Sequence, residues 1–179
     1  MMRSKGKEIT QLRTRIISFS DELSTPETRF INFGSETFSW THHDRVRRLK
    51  IDTSCTQSRH AGLEALAVAM GSDWTQEGDF QRHIIVMFSD ASAHRLEDRV
   101  GEVPAKFLPN TPLTLDELEE KWDLQSHHGL SLALFTPDVY PWSTIGDSWA
   151  RTIFLPSKAG EGLAEVEYKT ILEIYANEL

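Results

Sequence analysis

Arg82-His83-Ile84-Ile85-Val86-Met87-Phe88-Ser89-Asp90 is the stretch on which the fold turns. Five consecutive large apolar residues, Ile84 to Phe88, are too many for a strand with one wet face and too few for a bundle helix. The run reads as a buried parallel strand. In open α/β sheets, ligands bind just beyond the carboxyl ends of such strands, and there this run stops on Asp90, with Ser89 and Ser92 beside it. Two readings of Asp90 stand side by side. It is a ligand-binding carboxylate, or it is a turn residue whose side-chain oxygens bond the backbone that follows.

On the amino-terminal side of that strand, Leu63, Leu66, Ala67 and Met70 fall at i, i+3, i+4 and i+7 among strong helix formers, so residues 61–70 predict a helix with an apolar face. Gly71-Ser72-Asp73 closes it. Further back, residues 12–21 alternate and turn apolar, a strand ending on Asp21, and residues 29–40 hold Phe30, Ile31, Phe33, Phe38 and Trp40 around Gly34, a short strand or hairpin. Residues 1–11 give no core face and read as the last turns of a helix or a short leader.

On the carboxyl-terminal side, residues 91–110 read as loop, limited by Pro104 and Pro109. Thr114 with Glu117 three residues on has the capping-box spacing and opens a short acidic helix through Trp122. Leu130-Ser131-Leu132-Ala133-Leu134-Phe135 is a second buried strand, running into turn chemistry at Thr136-Pro137-Asp138. Trp142, Ile145 and Trp149 mark a helix within residues 141–150, residues 151–155 a strand stopped by Pro156, and Leu163, Val166, Ile171, Ile174 and Tyr175 a closing helix over 163–179. Strands alternating with helices imply βαβ crossovers, hence a doubly wound, mostly parallel α/β sheet with helices on both faces in a single domain spanning 1–179.

Composition narrows the function classes. With 39% hydrophobic and 26% charged residues the chain has the make-up of a folded domain rather than a disordered one. A net charge of −8 argues against a general nucleic-acid binder, which carries a basic face. The one cysteine, Cys55, excludes an internal disulfide, and no stretch has the length to span a bilayer, so a cytoplasmic location is expected without a nucleic-acid or membrane partner. Within residues 29–60, Arg29, Arg45, Arg47, Arg48, Lys50 and Arg59 stand against Glu36, Asp44 and Asp52, a local excess of +3. That is a patch for an acidic partner or a solvated loop and helix face; aromatic and basic residues do not interleave there as a nucleic-acid platform requires.

Motifs for enzyme chemistry are sparse. The pairs His42-His43 and His127-His128 would point to opposite faces of a strand and make poor joint metal ligands. Neither a G-x-S-x-G elbow nor a G-x-x-x-x-G-K phosphate loop occurs. Tryptophans 74, 122, 142 and 149 are expected to serve packing.

Read together, Glu8-Ile9-Thr10-Gln11-Leu12-Arg13-Thr14-Arg15-Ile16-Ile17-Ser18-Phe19, Gly62-Leu63-Glu64-Ala65-Leu66 and His83-Ile84-Ile85-Val86-Met87-Phe88-Ser89-Asp90-Ala91 resemble the von Willebrand factor A domains, in particular a bacterial cytoplasmic branch. Leu134-Phe135-Thr136-Pro137-Asp138 with Trp142, and Gly160-Glu161-Gly162-Leu163, look like the same branch. The likeness covers most of the chain except roughly residues 22–60, a divergent segment. It implies a doubly wound fold that binds a partner protein through Mg²⁺, held by three loops at the carboxyl edge of the sheet. Asp90 matches the third loop, and Ser58, ahead of the helix, is the candidate for the second.

Departures from the family pattern bear on function. D-x-S-x-S is missing; Asp52-Thr53-Ser54-Cys55-Thr56 comes nearest but precedes the helix. By the resemblance, the chain begins near the end of the family's first helix, so the fold is expected to be N-terminally incomplete and the first strand and its metal loop missing. One carboxylate with a hydroxyl would hold Mg²⁺ weakly or not at all, since Mg²⁺ demands near-octahedral oxygen coordination. Strands pair at roughly 4.8 Å, and a missing central strand leaves edges that must be closed, or filled by a strand-donating partner or a second copy. The expectation is a non-enzymatic protein-interaction module with an incomplete metal-ion-dependent adhesion site. The alternatives are a hydrolase or nucleotide-binding enzyme on the same scaffold, or a truncated remnant without independent function.

Overall fold

The computed structural model describes residues 3–4, 7–8, 12–14, 17, 19, 31–33, 59–74, 76, 81–99 and 112–157. Numbered along the chain, its elements are β1 (Arg3–Ser4), β2 (Lys7–Glu8), β3 (Leu12–Thr14), β4 (Ile31–Phe33), β5 (Arg59–His60), α1 (Gly62–Met70), β6 (His83–Phe88), β7 (Ser92–Ala93), α2 (Leu115–His127), β8 (Leu130–Pro137), α3 (Trp142–Ser148) and β9 (Thr152–Ser157), with a 3₁₀ turn at Glu97–Arg99.

The frame is a three-stranded parallel sheet in the order β6-β8-β9. His83 pairs with Leu130 and Phe88 with Phe135, and on the far side Leu132 pairs with Thr152 and Pro137 with Ser157. This gives a mixed α/β fold. Strand β8 lies between two ladders and buries all eight of its residues, which is why its sequence is apolar on both faces rather than alternating. It runs two residues past the expected Phe135, because Thr136 and Pro137 still have partners on β9. Strand β9 likewise continues through Pro156. Among the described residues β9 has β8 as its one neighbour, and an edge strand tolerates a residue without an N–H.

The described helices share one core. Leu63, Leu66 and Met70 of α1, Leu118 and Trp122 of α2, and Trp142 and Ile145 of α3 meet Ile85 and Met87 of β6 and Leu130, Leu132 and Leu134 of β8 in one apolar cluster. Alternation along β8 puts its three leucines on one face, so all three helices cover that face. Two side chains stitch the helices: Gln125 Nε2 donates to the Met70 carbonyl at 3.1 Å, and Trp122 Nε1 donates to the Ala150 carbonyl at 2.8 Å. The Trp122 and Trp149 rings stack at 5.6 Å. The tryptophans of α2 and α3 are packing residues, as their spacing suggested.

Helix α1 differs from its expected half-wet form. Every residue from Gly62 to Met70 is buried except Ala69, which is intermediate, and Glu64 in the first turn is wholly buried. Helix α2 outruns its expected end at Trp122. Leu118, Trp122 and Ser126 carry a buried stripe a further turn, and Gly129 (φ 93°) closes the helix through its N–H to the Ser126 carbonyl. Strand β6 buries Ile85 and Met87, leaves Ile84 and Val86 half-buried, and exposes Phe88, so it is less enclosed than its unbroken apolar run implied.

Short ladders complete the description. Strands β1 and β2 pair antiparallel, so helical turns do not describe these four residues. Strand β3 pairs antiparallel with β4. Residues Arg59 and His60, expected in a loop or helix face, pair in parallel with Ser92 and Ala93. The closing helix over 163–179, Ser58 and the basic run 41–58 lie outside the described residues, and among the described residues β6 has β8 as its one neighbour. No helix among the described residues is long and apolar enough to cross a membrane.

The start of α2 gives a direct test. Thr114 Oγ1 accepts from the Glu117 N–H at 3.1 Å, satisfying one terminal N–H of the helix, and the Glu117 carboxylate accepts from the N–H of Leu113, just ahead of the cap, at 2.8 Å. Replacing Thr114 with Ala is expected to cost about 1 kcal/mol, read as a lower urea midpoint at unchanged slope.

Candidate functional site at the carboxyl edge of the sheet

Three segments converge beyond the carboxyl ends of the strands: the loop after β6, the loop after β8 and the entry to α1. Their positions are fixed by packing and by specific bonds. Ser89 extends the β6–β8 ladder by donating its N–H to the Phe135 carbonyl at 3.0 Å. The β5–β7 ladder then ties the loop after β6 to the residues leading into α1, reinforced by the His94 N–H on the His60 carbonyl at 2.9 Å.

Trp142 joins all three segments. Its Nε1 donates to the Ala91 carbonyl at 2.9 Å across the two loops. The same ring lies over Gly62, where an added Cβ would stand 2.6 Å from Trp142 Cζ2 and 2.7 Å from Cη2. Glycine is required at the mouth of α1 because the indole occupies the space a side chain would need. A second contact spans the loops: the Arg95 guanidinium lies over the Tyr140 ring, 5.5 Å from its centroid. The chain reaches α3 through a cis Tyr140–Pro141 bond.

In this setting the two readings of Asp90 separate. Ser89 makes the side-chain bonds of the turn, its Oγ donating to the Ala91 carbonyl at 3.0 Å and accepting from the Ala91 N–H at 3.3 Å. Asp90 is exposed, and its carboxylate takes no hydrogen bond or ion pair among the described residues. The turn is capped by the residue before it. Asp138, after β8, is exposed as well, while Thr136 just before it is wholly buried with its hydroxyl unbonded among the described residues.

The structure therefore places Asp90 where the sequence put it and brings Ser92 into β7 beside it. Ser58 falls outside the described residues. Among the described residues no three His, Cys, Asp or Glu side chains come together as metal ligands. Two features escaped the sequence reading. Arg95 and Tyr140 are far apart in the chain, and no local pattern links them. Phe88, Val139 and Tyr140 are exposed at 43%, 41% and 48%, an apolar share that an unbroken hydrophobic run does not announce. His83 lies against Trp74, ring centroids 5.2 Å apart, at the opposite end of β6.

The fold class these observations define is α/β with a parallel sheet whose loops gather at one edge. Comparison with family models, with curated proteins and with solved structures returned no match to this chain.

Trp142 and Gly62 form a steric pair that can be tested. Because the indole is fully buried, Gly62→Ala forces a displacement and is expected to cost about 1–3 kcal/mol. Trp142→Phe removes one of the two donors on the Ala91 carbonyl, which keeps Ser89 Oγ, for a loss of about 0.5–1.5 kcal/mol. In the double variant the smaller ring makes room for the methyl group, so the two costs measured by urea unfolding add to less than their sum. Strict additivity would show that the two residues do not meet.

Proposed function

We propose that the chain is a non-enzymatic protein-interaction module of the von Willebrand factor A type, doubly wound, that meets its partner at the carboxyl edge of the sheet. The observation that carries this reading is the Asp90 carboxylate, exposed and unengaged at the end of β6 in a loop anchored by Ser89 and Trp142. Support comes also from the resemblance of residues 83–91 and 134–138 to that family and from the parallel order β6-β8-β9. A cytoplasmic location belongs to the same reading.

The donor set fits Mg²⁺ only in part. Asp90 offers free carboxylate oxygens, Ser89 Oγ is engaged with Ala91, and Ser58 is the remaining candidate. Mg²⁺, when bound, would supply a positive centre for a carboxylate of the partner. Asp90 with Ser58 would hold it weakly, because most of an octahedral shell would be left to water. What the chain itself contributes is a fixed loop that presents one acidic group to the partner without rearrangement, which spares the ordering cost of association.

Calorimetric titration of Mg²⁺ and of Mn²⁺ into the purified chain, with thermal unfolding in parallel, tests the metal-assisted form. A weak heat and a small rise in melting temperature are expected, both lost in Asp90→Ala and kept in Asp138→Ala. Equal responses in wild type and Asp90→Ala, or none in either, would remove that form.

A further inference from the structure

We infer that Arg95, laid over the Tyr140 ring, is a receptor for a single carboxylate on the partner, working without a metal ion. The inference rests on the partner-binding reading above and names the chemistry that this edge recognises.

Arg95 is exposed, and among the described residues its guanidinium has one contact, the ring of Tyr140, and no acidic partner. A guanidinium resting on an aromatic face is held in orientation while its N–H donors stay available. Tyr140 is itself 48% exposed, with Val139 beside it at 41%. A planar two-donor group that lacks an anion therefore stands next to exposed apolar surface. Arginine and tyrosine are the residue types that dominate binding energy in protein interfaces.

The anchoring of the loops strengthens the case. The Trp142 bond to Ala91 and the β5–β7 ladder fix the loop that carries Arg95, and the turn into α3 fixes Tyr140. Side chains held this way lose little freedom on binding. The surrounding charge then selects among anions. Asp90 and Asp138 are exposed on the same two loops, and the chain carries net −8. A polyanion or a doubly charged phosphate is repelled by that field, while one carboxylate flanked by apolar residues meets one guanidinium and the Val139–Tyr140 surface. The ligand class is a peptide segment with an isolated Asp or Glu among apolar side chains.

The test is selection of a fully randomised 12-residue displayed peptide library on the full chain, once with Mg²⁺ and once with EDTA. Wild type, Arg95→Gln and Asp90→Ala serve as targets, with Arg82→Gln as a control at the opposite end of β6. In EDTA, wild type and Arg82→Gln are expected to enrich peptides carrying one acidic residue among apolar ones. Affinity for a selected peptide should fall about tenfold or more in Arg95→Gln, with partial recovery in Arg95→Lys, which keeps the charge but loses the fork. Circular dichroism verifies that these surface variants stay folded. Enriched peptides without acidic residues, or equal affinity for wild type and Arg95→Gln, overturn the inference. Enrichment that requires Mg²⁺ and Asp90 but not Arg95 overturns it while leaving the module reading in place. No enrichment on any target, with no metal response, overturns both.

Discussion

Strand β8 is the constraint on which the rest of the molecule depends. Its eight residues lie between two parallel ladders and are buried throughout, so its backbone groups must be satisfied from both sides and its side chains covered on both faces. A parallel neighbour cannot be reached by a tight turn; each pairing requires a crossover long enough to bring the chain back to the amino end. Helices α2 and α3 are those crossovers. Their apolar sides fall on Leu130, Leu132 and Leu134 because those residues alternate onto the face the crossovers pass over. Burying one leucine side chain is worth about 1.5–3 kcal/mol, so three packed in one cluster with Ile85, Met87 and Trp122 fix the helices before any polar contact is considered.

The carboxyl edge inherits its order from that arrangement. Parallel strands end at the same side, so the loops after β6 and β8 are neighbours by topology. The Trp142 indole then turns proximity into a defined geometry by spanning from α3 to Ala91 and covering Gly62. The exposed groups, Asp90, Arg95, Val139 and Tyr140, stand on a base without slack. Rigid support beneath exposed polar and aromatic residues is the arrangement that recognition demands.

Much of this frame could be read from the sequence because its signals are local and strong. The apolar runs ending at Phe88 and Phe135 announce buried strands, Thr114 and Glu117 announce a helix start, and Trp142 with Ile145 sets a helical spacing. What stayed hidden depends on distant partners. Arg59 and His60 are too few and too polar to register as a strand; Ser92 and Ala93 make them one. Glu64 sits at a position that periodicity assigns to water, yet α1 is enclosed on nearly every side. At the site, Asp90 was legible as the residue after the strand, but its freedom was not, since only the structure shows Ser89 making the bonds of the turn. Arg95 over Tyr140 leaves no trace in local sequence at all.

The pairing of His83 with Leu130 and Phe88 with Phe135 also sets a timetable. Non-local parallel pairings form late, because loop-closure entropy must be met before the contacts exist. During synthesis, residues 84–88 emerge from the ribosome well before the strand they will pair with has been made. For that interval residues 84–88 lack their β8 partner, and among the described core elements α1 is the one already synthesised. The order of elements along the chain, which makes the edge so well defined in the finished protein, thus makes its birth the moment of greatest exposure.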